Sequence, residues 1–133
     1  MNRNSVWLAA ALALTITPAP ALAATVKVGV VMTYSGGGAQ FAQQIDRGME
    51  LYMAREGNAK LGEHKIELIK RDAKNPGGDA AKVAVQELIV REDVDLLTGF
   101  IYSPNIIASA PLIDQGKVPT LVLNAASESL PGG

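Results

Sequence analysis

Residues 26–32 read Val26-Lys27-Val28-Gly29-Val30-Val31-Met32, a nearly continuous run of apolar and β-branched side chains. A run of this length and composition is typical of a β-strand buried on both faces, as in a parallel sheet covered by helices. A glycine-rich loop follows at residues 33–38, and an amphipathic segment begins soon after it. The order of strand, loop and helix predicts the first unit of an α/β fold.

The same order recurs along the rest of the chain. Strands are predicted at residues 64–71, 94–99 and 118–123, and the partial alternation of 64–71 places that strand near the sheet edge. Apolar residues at helical spacing predict three helices, the second capped by Asp79 and the third ended by Gly116. The residues expected to face the core are Phe41, Ile45, Met49, Tyr52 and Met53; Ala81, Ala84, Val85, Leu88 and Ile89; and Ile106, Ala110 and Ile113.

A β-α-β-α-β-α-β order with right-handed crossovers predicts a mainly parallel sheet with helices on both faces, a three-layer αβα arrangement. Ligands of such sheets bind outside the carboxyl ends of the strands. The loops at residues 33–40, 72–78, 99–104 and 124–129 are therefore the candidate binding loops.

The first 23 residues differ from the rest. Arg3 precedes an apolar run at 6–16, and Ala21-Leu22-Ala23 ends the segment, as in a secretory signal peptide. The run is shorter than the roughly 20 apolar residues of a membrane span, which disfavours an uncleaved anchor. We expect residues 1–23 to be removed and residues 24–133 to be exported without a membrane span, which suits a periplasmic domain.

Composition excludes several kinds of site. Twelve Lys and Arg against 13 Asp and Glu give a net charge of −1, without the basic excess of a nucleic-acid-binding protein. With no cysteine and one histidine, His64, the chain offers no zinc finger, iron–sulfur site or disulfide. No metal or cofactor is predicted.

Three competing readings are weak. Gly36 and Gly38 fit a dinucleotide fingerprint in part, but Phe41 stands at its third glycine. Asp72, at the end of a predicted strand, could suggest a phospho-acceptor or a metal-binding carboxylate. We expect it instead to cap its loop or to pair with a neighbouring cation. Ser103 and Ser127 have no nearby base and no G-x-S-x-G elbow, so catalysis is not expected.

Polar and aromatic residues follow three of the predicted strands, at the edge where a ligand would bind. Hydroxyls and free backbone amides can hold a carboxylate, above all at a helix N-terminus, and tyrosine offers an apolar wall with a polar tip. The candidate ligand-binding residues are Tyr34, Ser35, Tyr102, Ser103, Asn124, Ala125, Ala126 and Ser127. An alternative is that they are ordinary loop residues.

Several of these segments resemble the solute-binding proteins of branched-chain amino acid (Leu/Ile/Val-type) ABC transporters. The start of the first strand with Tyr34-Ser35-Gly36-Gly37 is similar to their opening, and Asp72-Ala73-Lys74-Asn75-Pro76 to their D-x-x-x-[DN]-P turn. The segment 99–103 resembles the one that carries their ligand-binding serine. The segment 123–127 resembles the one that holds the ligand carboxylate. The resemblance covers residues 24–133.

The resemblance implies that residues 24–133 are the incomplete first lobe of a two-lobed type I periplasmic-binding protein, whose second lobe lies outside this chain. It implies that Ser103 and Ser127 bind a ligand carboxylate, with backbone groups of Ala125 and Ser127, and that Tyr34 and Tyr102 line the pocket. Tyr102 is bulkier than the residue at this place in strict amino-acid binders, which indicates similarity to the relatives that bind aromatic or other carboxylates. The expected partners are a branched-chain amino acid or related carboxylate and an ABC permease. The alternatives are a ligand-sensing receptor domain of the same fold and a small exported hydrolase.

Overall fold

The computed structural model describes residues 24–55 and 60–127. The predicted signal peptide, the predicted stop of the first helix at Gly57-Asn58 and residues 128–133 lie outside this part. The elements are β1 (Thr25–Met32), a 3-10 turn (Gly36–Gly38), α1 (Ala39–Arg55), β2 (Lys60–Leu61), β3 (His64–Asp72), α2 (Asp79–Val90), β4 (Leu96–Gly99), α3 (Ser103–Gly116) and β5 (Thr120–Val122). The predicted alternation of strands and helices is confirmed, and β2 is an addition to it.

The sheet has the strand order β2-β3-β1-β4-β5. All its pairs are parallel except the short antiparallel pair of β2 with β3, so β3 lies next to the edge as predicted. The register pairs Met32 with Asp72, Val31 with Gly99, and Gly99 with Val122. The strands β1, β3, β4 and β5 therefore end at one common edge, which we call the carboxyl edge.

Alternate residues of β1 face opposite sides of the sheet. Val30 and Met32 pack with Ala42 in one cluster, the α1-side cluster, whereas Val31 packs with Val85 in another, the α2/α3-side cluster. Gly29 faces the second side, where an added Cβ would lie 2.9 Å from Leu97 Cδ2, so its lack of a side chain lets the layers approach closely. Helices cover both faces, and the three-layer αβα prediction is confirmed.

The predicted buried face of α1 is partly wrong. Phe41 and Tyr52 are 46% and 63% exposed, and the residue buried in their place is Ala42, with Ile45 and Met49 half-buried. The small Ala42 lets α1 lie close to the sheet, and this turns the bulky aromatic rings outward. The other two helices bury their predicted stripes, with Ile89 and Ala110 half-buried.

Of the two predicted helix boundaries, the cap of α2 is wrong and the end of α3 is confirmed. Asp79 is the first residue of α2, whereas the capping position is Gly78, at φ 84°, without a side-chain cap. The predicted end of α3 at Gly116 is confirmed, and Lys117, at φ 52°, follows it in the left-handed conformation. The strands β4 and β5 are shorter than predicted. Val94 donates its amide to Leu88 O, which ties it to the end of α2 before β4 begins.

Candidate functional site

The carboxyl edge brings together the segments that follow β1, β3, β4 and β5, and all predicted site residues lie on three of them. Tyr34 and Ser35 follow β1, Tyr102 and Ser103 follow β4, and residues 124–127 follow β5. The parallel register places these ends side by side. The fold therefore gathers the predicted residues at one edge.

A backbone reversal after β4 sets the position of Tyr102 and Ser103. Gly99 and Phe100 both have positive φ, 116° and 62°, and Phe100 N donates to Val31 O at 2.7 Å. Phe100 is buried in the α2/α3-side cluster, whereas Ile101 belongs to the α1-side cluster. A buried phenylalanine in the left-handed region is unusual, and surrounding structure must hold it there. The reversal delivers Tyr102 and Ser103 to the carboxyl edge.

The segment after β5 runs beside this reversal. Leu123 N donates to Gly99 O at 2.9 Å, and Ala125 N donates to Phe100 O at 3.0 Å. Asn124 Nδ2 donates to Ile101 O at 3.2 Å. These bonds hold the segment 123–125 against the chain that leads into α3, and the amide of Ala125 is engaged within the protein.

Ser103 is the first residue of α3 and joins this helix to the segment after β5. Its Oγ donates to Ala126 O at 2.9 Å. Pro104 lies in the first turn, where its missing N–H costs nothing, and the capping residue Tyr102 makes no side-chain cap. The first amides of a helix carry partial positive charge and favour an anion. Pro104 has no N–H and Asn105 N donates to Tyr102 O at 3.1 Å, so the positive end of the helix dipole, rather than a row of free amides, suits the start of α3 to a carboxylate. Ser127, half-buried, follows Ala126.

Asp72 holds the loop after β1 and the loop after β3 together. Its Oδ1 accepts from Tyr34 N at 2.9 Å and from Lys74 N at 2.8 Å. Partial burial favours the neutral acid, but hydrogen bonds from the Ser35 hydroxyl and from the amides of Lys74, Tyr34 and Ser35 outweigh it. The pKa of Asp72 lies below its usual value as a result. The prediction that Asp72 caps its loop is confirmed.

The hydroxyl of Tyr34 is bound on the outer side of the α1-side cluster. It donates to Asp46 Oδ1 at 3.1 Å, and Asp46 Oδ2 lies 2.8 Å from Lys70 Nζ. Burial, then the charge of Asp46 and the hydrogen bond to it, raise the pKa of Tyr34. The hydrogen bond to Asp46 raises the pKa of Lys70 despite some desolvation. Tyr34 therefore has its polar tip anchored to α1, while its ring packs on the apolar cluster.

The hydroxyl of Tyr102 lies against Gly38. A Cβ on Gly38 would come within 3.0 Å of Tyr102 Oη and within 2.8 Å of Thr33 Cγ2. The Tyr102 ring packs on the α1-side cluster, so it crosses from the start of α3 to the turn after β1. Within residues 24–55 and 60–127 its hydroxyl makes no hydrogen bond. Thr33 is 1% exposed, and its Oγ1 has no partner in the same part of the chain.

Asn105 ties the loop after β3 to α3. It is 1% exposed, and its Oδ1 accepts from Gly78 N at 3.1 Å and from Gly77 N at 3.3 Å. Sequence reasoning missed this residue and Asp46, because each acts on a partner far away in the chain. It also missed Phe41 as a surface residue at this edge. The sequence did contain a signal for Phe41, because it is an aromatic residue in the first turn of a helix that follows a candidate binding loop.

The described part of the chain contains no group of three or more His, Cys, Asp or Glu that could hold a metal ion. None of its helices is both long and apolar enough to cross a membrane.

A sequence profile for the periplasmic binding protein family matches residues 25–133. This chain belongs to the periplasmic binding protein family. It is 39% identical over 110 residues to the Leu/Ile/Val-binding protein homolog 6 of Brucella abortus, with 83% of this chain and 28% of the relative covered.

Solved structures of the family show the same fold. A solute-binding protein of an R. palustris ABC transporter, in complex with 4-hydroxybenzoate, is 43% identical with a TM-score of 0.73, over 79% of this chain and 28% of that one. One from Rhodopseudomonas palustris BisB5, in complex with 3,4-dihydroxybenzoic acid, is 38% identical with a TM-score of 0.72, over 77% and 28%. The chain thus spans about 28% of the length of these relatives. The resemblance found in the sequence is confirmed.

Proposed function

We propose that this chain is the first ligand-binding lobe of the extracytoplasmic solute-binding protein of an ABC importer, and that its ligand is a small aromatic carboxylate. The observation that carries the proposal is the meeting of a carboxylate-suited helix start at Ser103 with two tyrosine rings at the carboxyl edge. Residues 1–23 act as the cleaved signal, and residues 24–133 belong to the lobe in the periplasm.

The proposed roles follow from chemistry at each position. Ser103 and Ser127 bind the carboxylate at the positive end of the α3 dipole, and the Ser103 hydroxyl exchanges its bond to Ala126 O for one to the ligand. Asn124, Ala125 and Ala126 hold the segment beside them. Tyr34 and Tyr102 form the ring-binding wall, with Phe41 exposed in the first turn of α1 at the same edge. Ser35 fixes the loop after β1 through Asp72.

An aromatic acid fits these residues better than an α-amino acid does. An amino acid brings an ammonium group, which needs a carboxylate or carbonyl acceptor. The carboxylate of Asp72, the last residue of β3 at this edge, already accepts from Tyr34 N and Lys74 N. Flat rings stack well on tyrosine and phenylalanine. The relatives at 43% and 38% identity are complexes with hydroxylated benzoates, which supports the same class of ligand here.

The proposed mechanism has no covalent step. The ligand first meets the hydroxyls, amides and rings of this lobe, and a second lobe then closes over it, as hinged binding proteins do. The closed form is the one that a permease would recognise. Ligand binding to the native state raises the apparent stability by mass action, and this gives a direct readout.

The test is calorimetric titration and thermal unfolding of the full-length protein with 4-hydroxybenzoate, benzoate, leucine and isoleucine. The proposal expects micromolar or tighter binding of a benzoate and weaker binding of both amino acids. Ser103→Ala should weaken benzoate binding about ten-fold, roughly the value of a hydrogen bond to a charged group. Gln115→Ala, at the exposed far end of α3, is the control and should not change it. Binding of leucine in preference to every benzoate would overturn the ligand class.

A further inference from the structure

We propose that the hydroxyl of Tyr102 is the group that selects a ring hydroxyl on the ligand, so that a para-hydroxybenzoate is preferred over benzoate. This rests on the proposed function, because it assigns one residue of that same site to one polar group of the ligand. The reasons lie in the different surroundings of the two tyrosines, in the place of the Tyr102 hydroxyl and in the distance between the polar ends of the site.

The two tyrosines at the carboxyl edge differ in what their hydroxyls do. Tyr34 donates to Asp46, which is also paired with Lys70. A ligand that accepted a hydrogen bond from the Tyr34 hydroxyl would break this bond. Asp46 would then lose one of its hydrogen-bond donors. Tyr34 therefore presents its ring to a ligand and keeps its polar tip for α1.

Tyr102 differs from Tyr34 in the state of its hydroxyl. The ring is half-buried and packs on the α1-side cluster, so its orientation is held by apolar contacts. Its hydroxyl has no hydrogen-bond partner in the part of the chain that the structure describes. A ligand group that supplies a partner gains a hydrogen bond on a ring whose position is already fixed.

The surroundings of this hydroxyl are also built for a polar group. It lies beside Gly38, whose missing side chain leaves space that a Cβ would fill at 3.0 Å from Tyr102 Oη and 2.8 Å from Thr33 Cγ2. Thr33 meets the same glycine through its Cγ2 and Cβ, and its Oγ1 is buried without a partner among the described residues. The Tyr102 hydroxyl beside Gly38 therefore marks the end of the site that is suited to a neutral donor and acceptor.

The two polar ends of the site lie beside segments that follow different strands. The Tyr102 hydroxyl is at the turn after β1, whereas the Ser103 hydroxyl is bonded to Ala126 after β5. In the strand order, β4 separates β1 from β5, so the two ends are roughly 10 Å apart at the usual strand spacing. A benzene ring with polar groups at its para positions spans such a site end to end.

The experiment compares Tyr102→Phe with the wild-type full-length protein by calorimetric titration of 4-hydroxybenzoate and benzoate. We expect the wild type to prefer 4-hydroxybenzoate about ten-fold or more, and Tyr102→Phe to lose most of that preference. Tyr52→Phe is the matched control, because Tyr52 is 63% exposed on α1 and should leave the preference unchanged. Loss of affinity for both ligands by the same factor would assign Tyr102 to the carboxylate or to packing and would overturn the proposal.

A second measurement needs no variant and covers the case in which Tyr102→Phe does not fold. The wild type is titrated with 3-hydroxybenzoate and 4-methoxybenzoate, and both should bind more weakly than 4-hydroxybenzoate, because one displaces the hydroxyl and the other removes its proton. If 4-hydroxybenzoate binds no more tightly than 3-hydroxybenzoate, 4-methoxybenzoate and benzoate, the inference is overturned while the proposed function remains intact. Absence of binding to every benzoate overturns both.

Discussion

Asp72 Oδ1 lies 2.9 Å from the backbone nitrogen of Tyr34, so the end of β3 holds the loop that follows β1. The same oxygen accepts from Lys74 N, and the hydroxyl of Ser35 also bonds this carboxylate. One side chain thus organises two of the loops at the carboxyl edge before any ligand arrives. Groups held in place beforehand lose less entropy on binding, which raises affinity.

The first prediction concerns the acid limb of the stability curve. The pKa of Asp72 is lower in the folded protein than its ordinary value, so the unfolded chain takes up a proton first as the pH falls. Its stabilising contribution is present at neutral pH and is lost below about pH 4. Asp72→Asn should reduce the free energy of unfolding at pH 7 by about 1 kcal/mol and flatten its fall in acid.

Urea unfolding at pH 7, 5 and 3 checks this, with Asp114→Asn as the control for the loss of one exposed carboxylate. If the variant loses as much stability at pH 3 as at pH 7, the carboxylate of Asp72 is not the group that supports these loops.

Much of the fold follows from local pattern. The β-branched run of β1 and the small-residue stripe of α2 are properties of neighbouring residues, and their layers were predicted correctly. The buried face of α1 was not, because Ala42 rather than Phe41 faces the sheet, and only packing against Val30 and Met32 decides that. A stripe of apolar residues wider than the buried face leaves this choice open.

The capping of α2 shows the same limit at the site. Asp79 is the residue that local rules favour, yet the amides of Gly77 and Gly78 are bound by Asn105, 27 residues beyond Gly78. The positions of Tyr102 and Ser103 likewise depend on the bond from Phe100 N to Val31 O across the sheet. The segments of the site could be predicted from the sequence, but the bonds that join them could not.

The second prediction concerns Gly99. At φ 116° a side chain is strained, and an added Cβ would lie 2.4 Å from Val31 O, which cannot move without disturbing β1. Gly99→Ala should lower the free energy of unfolding by about 3 kcal/mol. Gly37→Ala is the matched control, since a Cβ there meets no atom within 4 Å, and it should change stability by less than about 0.5 kcal/mol. Thermal unfolding measures both, and similar losses would show that the reversal after β4 is not strained.

The third prediction concerns the alkaline limb. The pKa of Tyr34 is raised in the folded protein, so the unfolded chain loses its phenolic proton first as the pH rises. The contribution of the Tyr34 hydroxyl is therefore present below about pH 10 and is lost above it. Tyr34→Phe should cost about 1 kcal/mol at pH 7 and should make the fall in stability above pH 10 shallower.

Urea unfolding at pH 7, 9.5 and 10.5 tests this prediction. Tyr52→Phe is the control, because it removes one exposed phenol hydroxyl from α1. If the free energy of unfolding of Tyr34→Phe falls in alkali as steeply as that of the wild type, the hydrogen bond from Tyr34 to Asp46 does not stabilise the folded protein.

The fourth prediction separates two buried polar residues of α3. Asn105→Ala removes the acceptor of two amides in the loop after β3 and leaves a cavity, so it should cost about 3 kcal/mol. Ser109→Ala is the matched control, because Ser109 Oγ donates only to Asn105 O within the same helix, and its loss should cost about 1 kcal/mol or less. Urea unfolding gives both free energies. An equal or larger loss from Ser109→Ala would show that Asn105 does not carry the link between the loop after β3 and α3, and the carboxyl edge would then owe its geometry to Asp72 and to the reversal at Gly99 and Phe100 alone.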